Sequence, residues 1–116
     1  MILVTGATGF LGSELVKQLH DRGMPVRALK RLNSVIPTIL QDLPDIEWVT
    51  ADILDYFALE KAFEGVTHVY HCCAMISFDS ADKATMLRVN KEGTAYVADL
   101  CLLNNVEKLV HVSSVA

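Results

Sequence analysis

Cysteine is scarce in this 116-residue chain: Cys72, Cys73 and Cys101 are the only three. An odd count of thiols in apolar segments builds no disulfide framework and suits a reducing compartment. Basic charge is also short, ten Lys and Arg against fourteen Asp and Glu for a net charge of −4. Without a basic stripe, nucleic acid is not the expected main partner; the local Arg27, Lys30 and Arg31 suit a smaller ligand. No apolar run approaches the roughly 18 residues of a membrane span, and no charged segment precedes the first apolar run as a leader would require. The expectation is a soluble, cytoplasmic protein with no membrane partner. Metal-ligand spacing is missing too. His68, His71 and His111 accompany the cysteines, yet no Cys-x-x-Cys or His-x-x-x-His pair occurs, and strand alternation sends Cys72 and Cys73 to opposite faces. They read as buried structural thiols, with nothing to mark an activated thiolate.

What the chain does contain is Thr5-Gly6-Ala7-Thr8-Gly9-Phe10-Leu11-Gly12, set between the apolar strand Ile2-Leu3-Val4 and a helical pattern near 10–22. A strand–glycine turn–helix junction can hold a pyrophosphate with backbone alone. Gly6 lets the chain turn sharply off the strand. Gly9 lets N–H groups reach phosphate without a Cβ in the way, and Gly12 lets the helix pack tightly on the sheet. The helix then points its positive end at the anion. The spacing is G-x-x-G-x-x-G, so the weight lies on context: Leu11, Leu15 and Leu19 share one helix face, and Gly23 and Pro25 stop the helix before a second strand, Val26-Arg27-Ala28-Leu29.

With no repeat, low-complexity tract or linker, residues 1–116 read as one domain, and 52% hydrophobic content suffices to bury a core. Strand-like runs near 1–5, 25–30, 46–51, 67–73 and 108–113 alternate with helical patterns near 10–22, 55–64 and 83–104. A short helix or turn is expected between Pro37 and Pro44. Such alternation predicts an α/β fold, a Rossmann-type doubly wound parallel sheet of strand order 3-2-1-4-5, incomplete at its carboxyl end. Its ligand would lie across the carboxyl ends of the first and fourth strands, where the order reverses.

Those strand ends carry the candidate chemistry. The second ends in Leu29-Lys30-Arg31, where a site for NAD would place an acid on the adenosine ribose. None is there. Arg31, with Lys30 or Ser34, can instead hold a ribose 2′-phosphate, which favours NADP over NAD. The third ends in Ala51-Asp52-Ile53: Asp52 can accept from an adenine amino group while Ile53 packs on the ring, and Asp55 is the better helix cap, leaving Asp52 free. Cys73 and Ala74 follow the fourth strand on the nicotinamide side. On the long helix, Gly93 allows close approach to the sheet, Asn90 can tie backbone groups of neighbouring strands, and Met86, Val97 and Cys101 look like core. The fifth strand ends in Ser113-Ser114, two hydroxyls near the expected nicotinamide, one of which can bind the reacting oxygen.

Thr5 to Gly12, Asp52-Ile53, His71-Cys72-Cys73-Ala74, Asn90-Lys91-Glu92-Gly93-Thr94 and Val112-Ser113-Ser114 together resemble the extended short-chain dehydrogenase/reductase family along the whole chain. Val26 to Arg31 is most similar to its branch of dihydroflavonol reductases and 3β-hydroxysteroid dehydrogenases. The resemblance implies that Gly6, Thr8, Gly9, Phe10, Leu11 and Gly12 bind the dinucleotide, that Asp52 meets adenine, and that Ser114 meets the substrate oxygen. It also implies a Tyr-x-x-x-Lys pair for proton transfer, and none occurs: Tyr56, Tyr70 and Tyr96 are followed four residues on by Glu60, Ala74 and Leu100. The expectation is the amino-terminal half of a longer enzyme, inactive alone, that moves hydride between a nicotinamide and a carbonyl or secondary alcohol of a small molecule. A nucleotide-sugar epimerase or dehydratase with tightly held NAD, or a non-catalytic dinucleotide-binding regulator, stands as the alternative. A homodimer is one assembly this reading allows.

Overall fold

The computed structural model describes residues 1–73 and 79–112. Five strands, β1 (Ile2–Thr5), β2 (Val26–Lys30), β3 (Glu47–Thr50), β4 (His68–His71) and β5 (Lys108–His111), form one sheet of order β3-β2-β1-β4-β5. Every pairing is parallel, with Ile2 opposite both Val26 and His68 and His71 opposite His111. The expected topology is the observed one. Parallel strands need crossovers, and the helices that supply them cover both faces.

Alternation along β1 shows how two cores arise from one apolar run. All four residues are buried. Ile2 and Val4 join Val16, Leu19, Val26, Ala28 and Leu40 on the side of α1 (Phe10–Asp21) and α2 (Thr38–Gln41). Leu3 points the other way, into Leu59, Phe63, Val97 and Leu100 beneath α3 (Tyr56–Ala62) and α5 (Gly93–Leu103). A strand covered on both faces has no polar side to show. The short α2 falls between the two prolines as expected.

The inner face of α1 differs from the anticipated leucine stripe. Gly12, Ser13, Val16 and Leu19 are buried, while Leu11 is 51% exposed. Steps of four residues drift around a helix, so Leu11 and Leu19 stand about 80° apart, whereas steps of four then three, as in 12, 16 and 19, keep one face. Helix ends follow the local chemistry. Gly23 and Gly65 hold left-handed φ of 74° and 73° just past α1 and α3, a conformation glycine adopts without strain. Asp55 caps α3 by accepting from the Ala58 N–H at 3.2 Å.

The predicted long helix is present but not uniform. A 3₁₀ turn (Ser80–Asp82) leads into α4 (Lys83–Leu87), the stretch Arg88–Glu92 winds as a π-turn, and α5 continues with helical dihedrals throughout. Met86 is half-buried, while Val97 and Cys101 are core. A π-turn inside a helix widens it by a residue and recurs near functional sites. Sequence periodicity does not reveal one, because the apolar spacing on either side is ordinary.

Candidate functional site

The carboxyl ends of β1 to β4 open onto a cleft of about 530 Å³, at the position where the strand order reverses. Its floor is the glycine turn. Gly6 takes φ 64°, and a Cβ there would lie 2.7 Å from the Cys72 carbonyl and the Cys73 nitrogen, so the turn crosses directly over the Cys72–Cys73 peptide. Gly9 N donates to the Gly6 carbonyl at 3.1 Å and the Gly9 carbonyl accepts from Ser13 N at 2.9 Å. Gly9 is also the N-cap of α1, with no side chain to occupy the leading amides and no acidic residue in the first turn. Those amides lack intrahelical acceptors and face the end of the helix where an anion is favoured. Gly12 acts closer to home than expected. The atom nearest a Cβ at Gly12 is the Gly6 carbonyl oxygen, at 2.0 Å, so this glycine lets the helix pack on the turn itself.

Gly6, Thr8 and Gly9 line the cleft. Phe10, 98% exposed, and Leu11 project from α1 outside it, and Gly12 lies buried behind the turn. Opposite the turn, β2 contributes Leu29, Lys30, Arg31 and, from the following loop, Ser34; β3 contributes Ala51, Asp52, Ile53 and Leu54. Two cations thus face one carboxylate in the lining, a positive cleft in a chain of net charge −4. Lys30 Nζ leans on the carbonyls of Arg31 and Ser34, both at 3.4 Å. Arg27 takes no part. Its guanidinium donates to the Ala62 and Glu64 carbonyls at 2.7 and 2.6 Å and pairs with Glu47 at 3.1 Å, fastening the end of α3 to the sheet. Its position on β2, three residues before the strand's carboxyl end, puts it away from the cleft.

Asp52 and Ile53 are both in place, with two qualifications to the sequence reading. Asp52 is not free: its Oδ1 accepts the Leu54 N–H at 2.9 Å, which fixes the carboxylate at the rim. Ile53 is buried as well as lining the cleft, and a Cβ on Gly93 would come within 3.0 Å of its Cγ1, so Gly93 approaches Ile53 after β3. Cys72 and Cys73 pack into the cores on opposite faces, as alternation requires, yet both are only half-buried and line the cleft. Burial pushes both thiols up; at Cys73 the Arg31 charge pulls the other way and Asp52 adds to the rise. These are wall residues with protonated thiols.

Beneath the turn, Thr5 and His71 are both buried and joined by a 2.6 Å bond between Thr5 Oγ1 and His71 Nδ1. Burial, helped by the stacked His111 ring at 5.4 Å, lowers the His71 pKa to about 4, so the imidazole is neutral. Asn90 lies in the π-turn and is exposed; its carbonyl accepts the Thr94 hydroxyl at 2.7 Å. Sequence reasoning missed Thr85 and Val89, which close the cleft from α4 and the π-turn. Their i, i+4 spacing was the available signal, passed over in a helix read for Met86, Val97 and Cys101 as core and for Asn90 and Gly93 as its contacts with the sheet. Ala74, Ser113 and Ser114 lie outside the described residues. Among the described residues, no three His, Cys, Asp or Glu gather as a metal site, and no helix is long and apolar enough to cross a membrane.

This geometry has close counterparts. The family model of the NAD dependent epimerase/dehydratase family matches residues 2–116. Sterol demethylase protein B of Methylococcus capsulatus is 37% identical over 112 residues, covering 97% of this chain and 34% of that protein. The 3β-hydroxysteroid dehydrogenase/Δ5→4-isomerase of Mycobacterium tuberculosis is 31% identical over 119 residues, covering 97% of this chain and 31% of the relative. A short-chain dehydrogenase/reductase superfamily protein from Agrobacterium tumefaciens, solved with bound NAD, superposes with a TM-score of 0.84 at 33% identity, covering 98% of this chain and 32% of that one. The chain therefore spans about a third of the length of the curated relatives it matches.

Proposed function

Because the chain belongs to the NAD dependent epimerase/dehydratase family, we propose that it forms the dinucleotide-binding part of an oxidoreductase acting on a carbonyl or secondary alcohol. The observation that carries the reading is the glycine turn: Gly6 and Gly12 are packed so that no Cβ fits, and Gly9 leaves the first amides of α1 without a side-chain cap. A backbone shaped this way can bring N–H groups against a pyrophosphate. When bound, the nicotinamide supplies hydride transfer; everything else is the protein's work. The amides of Phe10, Leu11 and Gly12 hold the pyrophosphate, and Thr8 and Gly9 flank it. Asp52 accepts from adenine beside Ile53. Cys73 stands in the cleft wall, Ala74 would follow it toward the nicotinamide, and Ser114 would hold the reacting oxygen by donating its hydroxyl as charge develops.

The finer cofactor choice favours NADP. No acid follows β2, and Arg31 at the cleft rim, with Lys30 and Ser34 beside it, offers a ribose 2′-phosphate charge-assisted bonds. A second reading, an epimerase or dehydratase that retains NAD, draws on the description of the family itself. Kinetics of the full-length protein test the proposal. Ser114→Ala should lower kcat about a hundredfold while leaving dinucleotide Kd unchanged. Dinucleotide binding with no turnover on any carbonyl or alcohol would point instead to a regulator.

A further inference from the structure

We infer that Thr94 and His71 are positioning residues for the glycine turn, linked to it by a one-way chain of hydrogen bonds that sets how firmly the turn can hold a dinucleotide. This rests on the proposed dinucleotide reading of the cleft. Neither residue lines the cleft, so any effect on binding must pass through others.

The donor directions follow from counting protons. Thr94 Oγ1 has one proton and gives it to the Asn90 carbonyl at 2.7 Å. Toward His71 Nε2, at 3.1 Å, the Thr94 hydroxyl can then only accept, so Nε2 carries the imidazole proton. Nδ1 is left bare, and Thr5 Oγ1 at 2.6 Å must donate to it. With its proton committed, Thr5 Oγ1 accepts from Cys73 N–H at 3.3 Å, while the Thr5 carbonyl accepts from Cys72 N–H, also at 3.3 Å. Each donor thus meets one acceptor, and the neutral ring is required at the centre.

The consequence is mechanical. The Cys72–Cys73 peptide lies directly under Gly6, at the distance where a Cβ would already collide. Thr5, one residue before Gly6, holds that peptide by its Cys73 N–H through Oγ1 and the preceding peptide by its Cys72 N–H through the main-chain carbonyl. The far end of the chain is the π-turn, and Val89, one residue before Asn90, is part of the cleft wall. One chain of protons therefore ties a cleft wall to the cleft floor.

Thr94→Val in the full-length protein keeps the shape and removes the hydroxyl, leaving the buried Nε2–H without an acceptor. Kd for NADP(H) and NAD(H) by calorimetry should rise about threefold to tenfold, and Thr94→Ser should restore it to within about twofold. Nuclear magnetic resonance of the His71 ring nitrogens should show the Nε2-protonated tautomer in the wild type. Wild-type affinity in Thr94→Val, even with a lowered Tm, overturns the inference. So does an Nδ1-protonated wild-type ring, a result that needs no variant to fold. A wild type that binds neither dinucleotide overturns the cleft reading itself.

Discussion

Replacing Gly12 by Ala adds one methyl group where the structure has no room for it. The new Cβ would stand 2.0 Å from the Gly6 oxygen, 2.7 Å from its carbon and 3.2 Å from Ala7 Cα, all backbone atoms that cannot rotate aside. The Gly6 carbonyl must recede by more than about 1 Å before ordinary contact is regained. That carbonyl accepts the Gly9 N–H at 3.1 Å, so the turn opens and the leading amides of α1 move with it. Losing one charge-assisted bond to phosphate, worth about 1.5–3 kcal/mol, weakens dinucleotide binding by about 10- to 150-fold. Stability falls as well. Overpacking costs about 1–3 kcal/mol, offset by about 1 kcal/mol because Ala favours a helix over Gly. Calorimetric titration with NADP(H) and NAD(H), paired with urea unfolding, measures both. Wild-type affinity together with unchanged or raised stability would show that the contact between helix and turn is not the one described.

Other perturbations separate the parts of the site. Gly9→Val should abolish dinucleotide binding with little change in the urea midpoint, because a Cβ at Gly9 meets only the Gly6 oxygen, at 3.3 Å; calorimetric binding at wild-type strength would make the glycine purely structural. Arg31→Ala should weaken NADP(H) about tenfold or more and NAD(H) little, with the difference shrinking as salt rises, and equal losses in the two titrations would refute the 2′-phosphate assignment. His71 adds a pH dependence to stability. Its pKa of about 4 lies below the ordinary value, so the unfolded chain binds the extra proton first, and stability complete above about pH 6.5 is lost as pH falls toward 4, by about 3 kcal/mol. Urea unfolding of His71→Gln should lack that slope between the two values, and a slope parallel to the wild type would place the proton elsewhere.

Much of the architecture was legible because its causes are local. The β1 run, the glycine turn and the Gly23 stop each leave a signature within a few residues, and alternation with helical patterns then points to a doubly wound parallel sheet, for which the order 3-2-1-4-5 is a common one. Asp55 as the α3 cap was readable for the same reason. Features that depend on a partner distant in the chain were not. Arg27 looked like one of three ligand-facing cations, yet the carbonyls that consume it come from Ala62 and Glu64, more than thirty residues on. His71 invited a metal hypothesis, while its bonds run to Thr5, 66 residues back, and Thr94, 23 residues ahead. Leu11 was misplaced for a different reason: a stripe counted in steps of four drifts off a face that the packed Gly12 had already set.

Hydrogen exchange of the full-length protein, with and without saturating NADP(H) or NAD(H), tests the central claim most directly because it reports individual backbone amides. Slowed exchange at Phe10, Leu11 and Gly12 and around Asp52, with α1's outer turns and α2 unchanged, is the result expected of a pyrophosphate held by the glycine turn. Binding that leaves Phe10 to Gly12 unprotected, or protects the α3 and α5 surface instead, would contradict it.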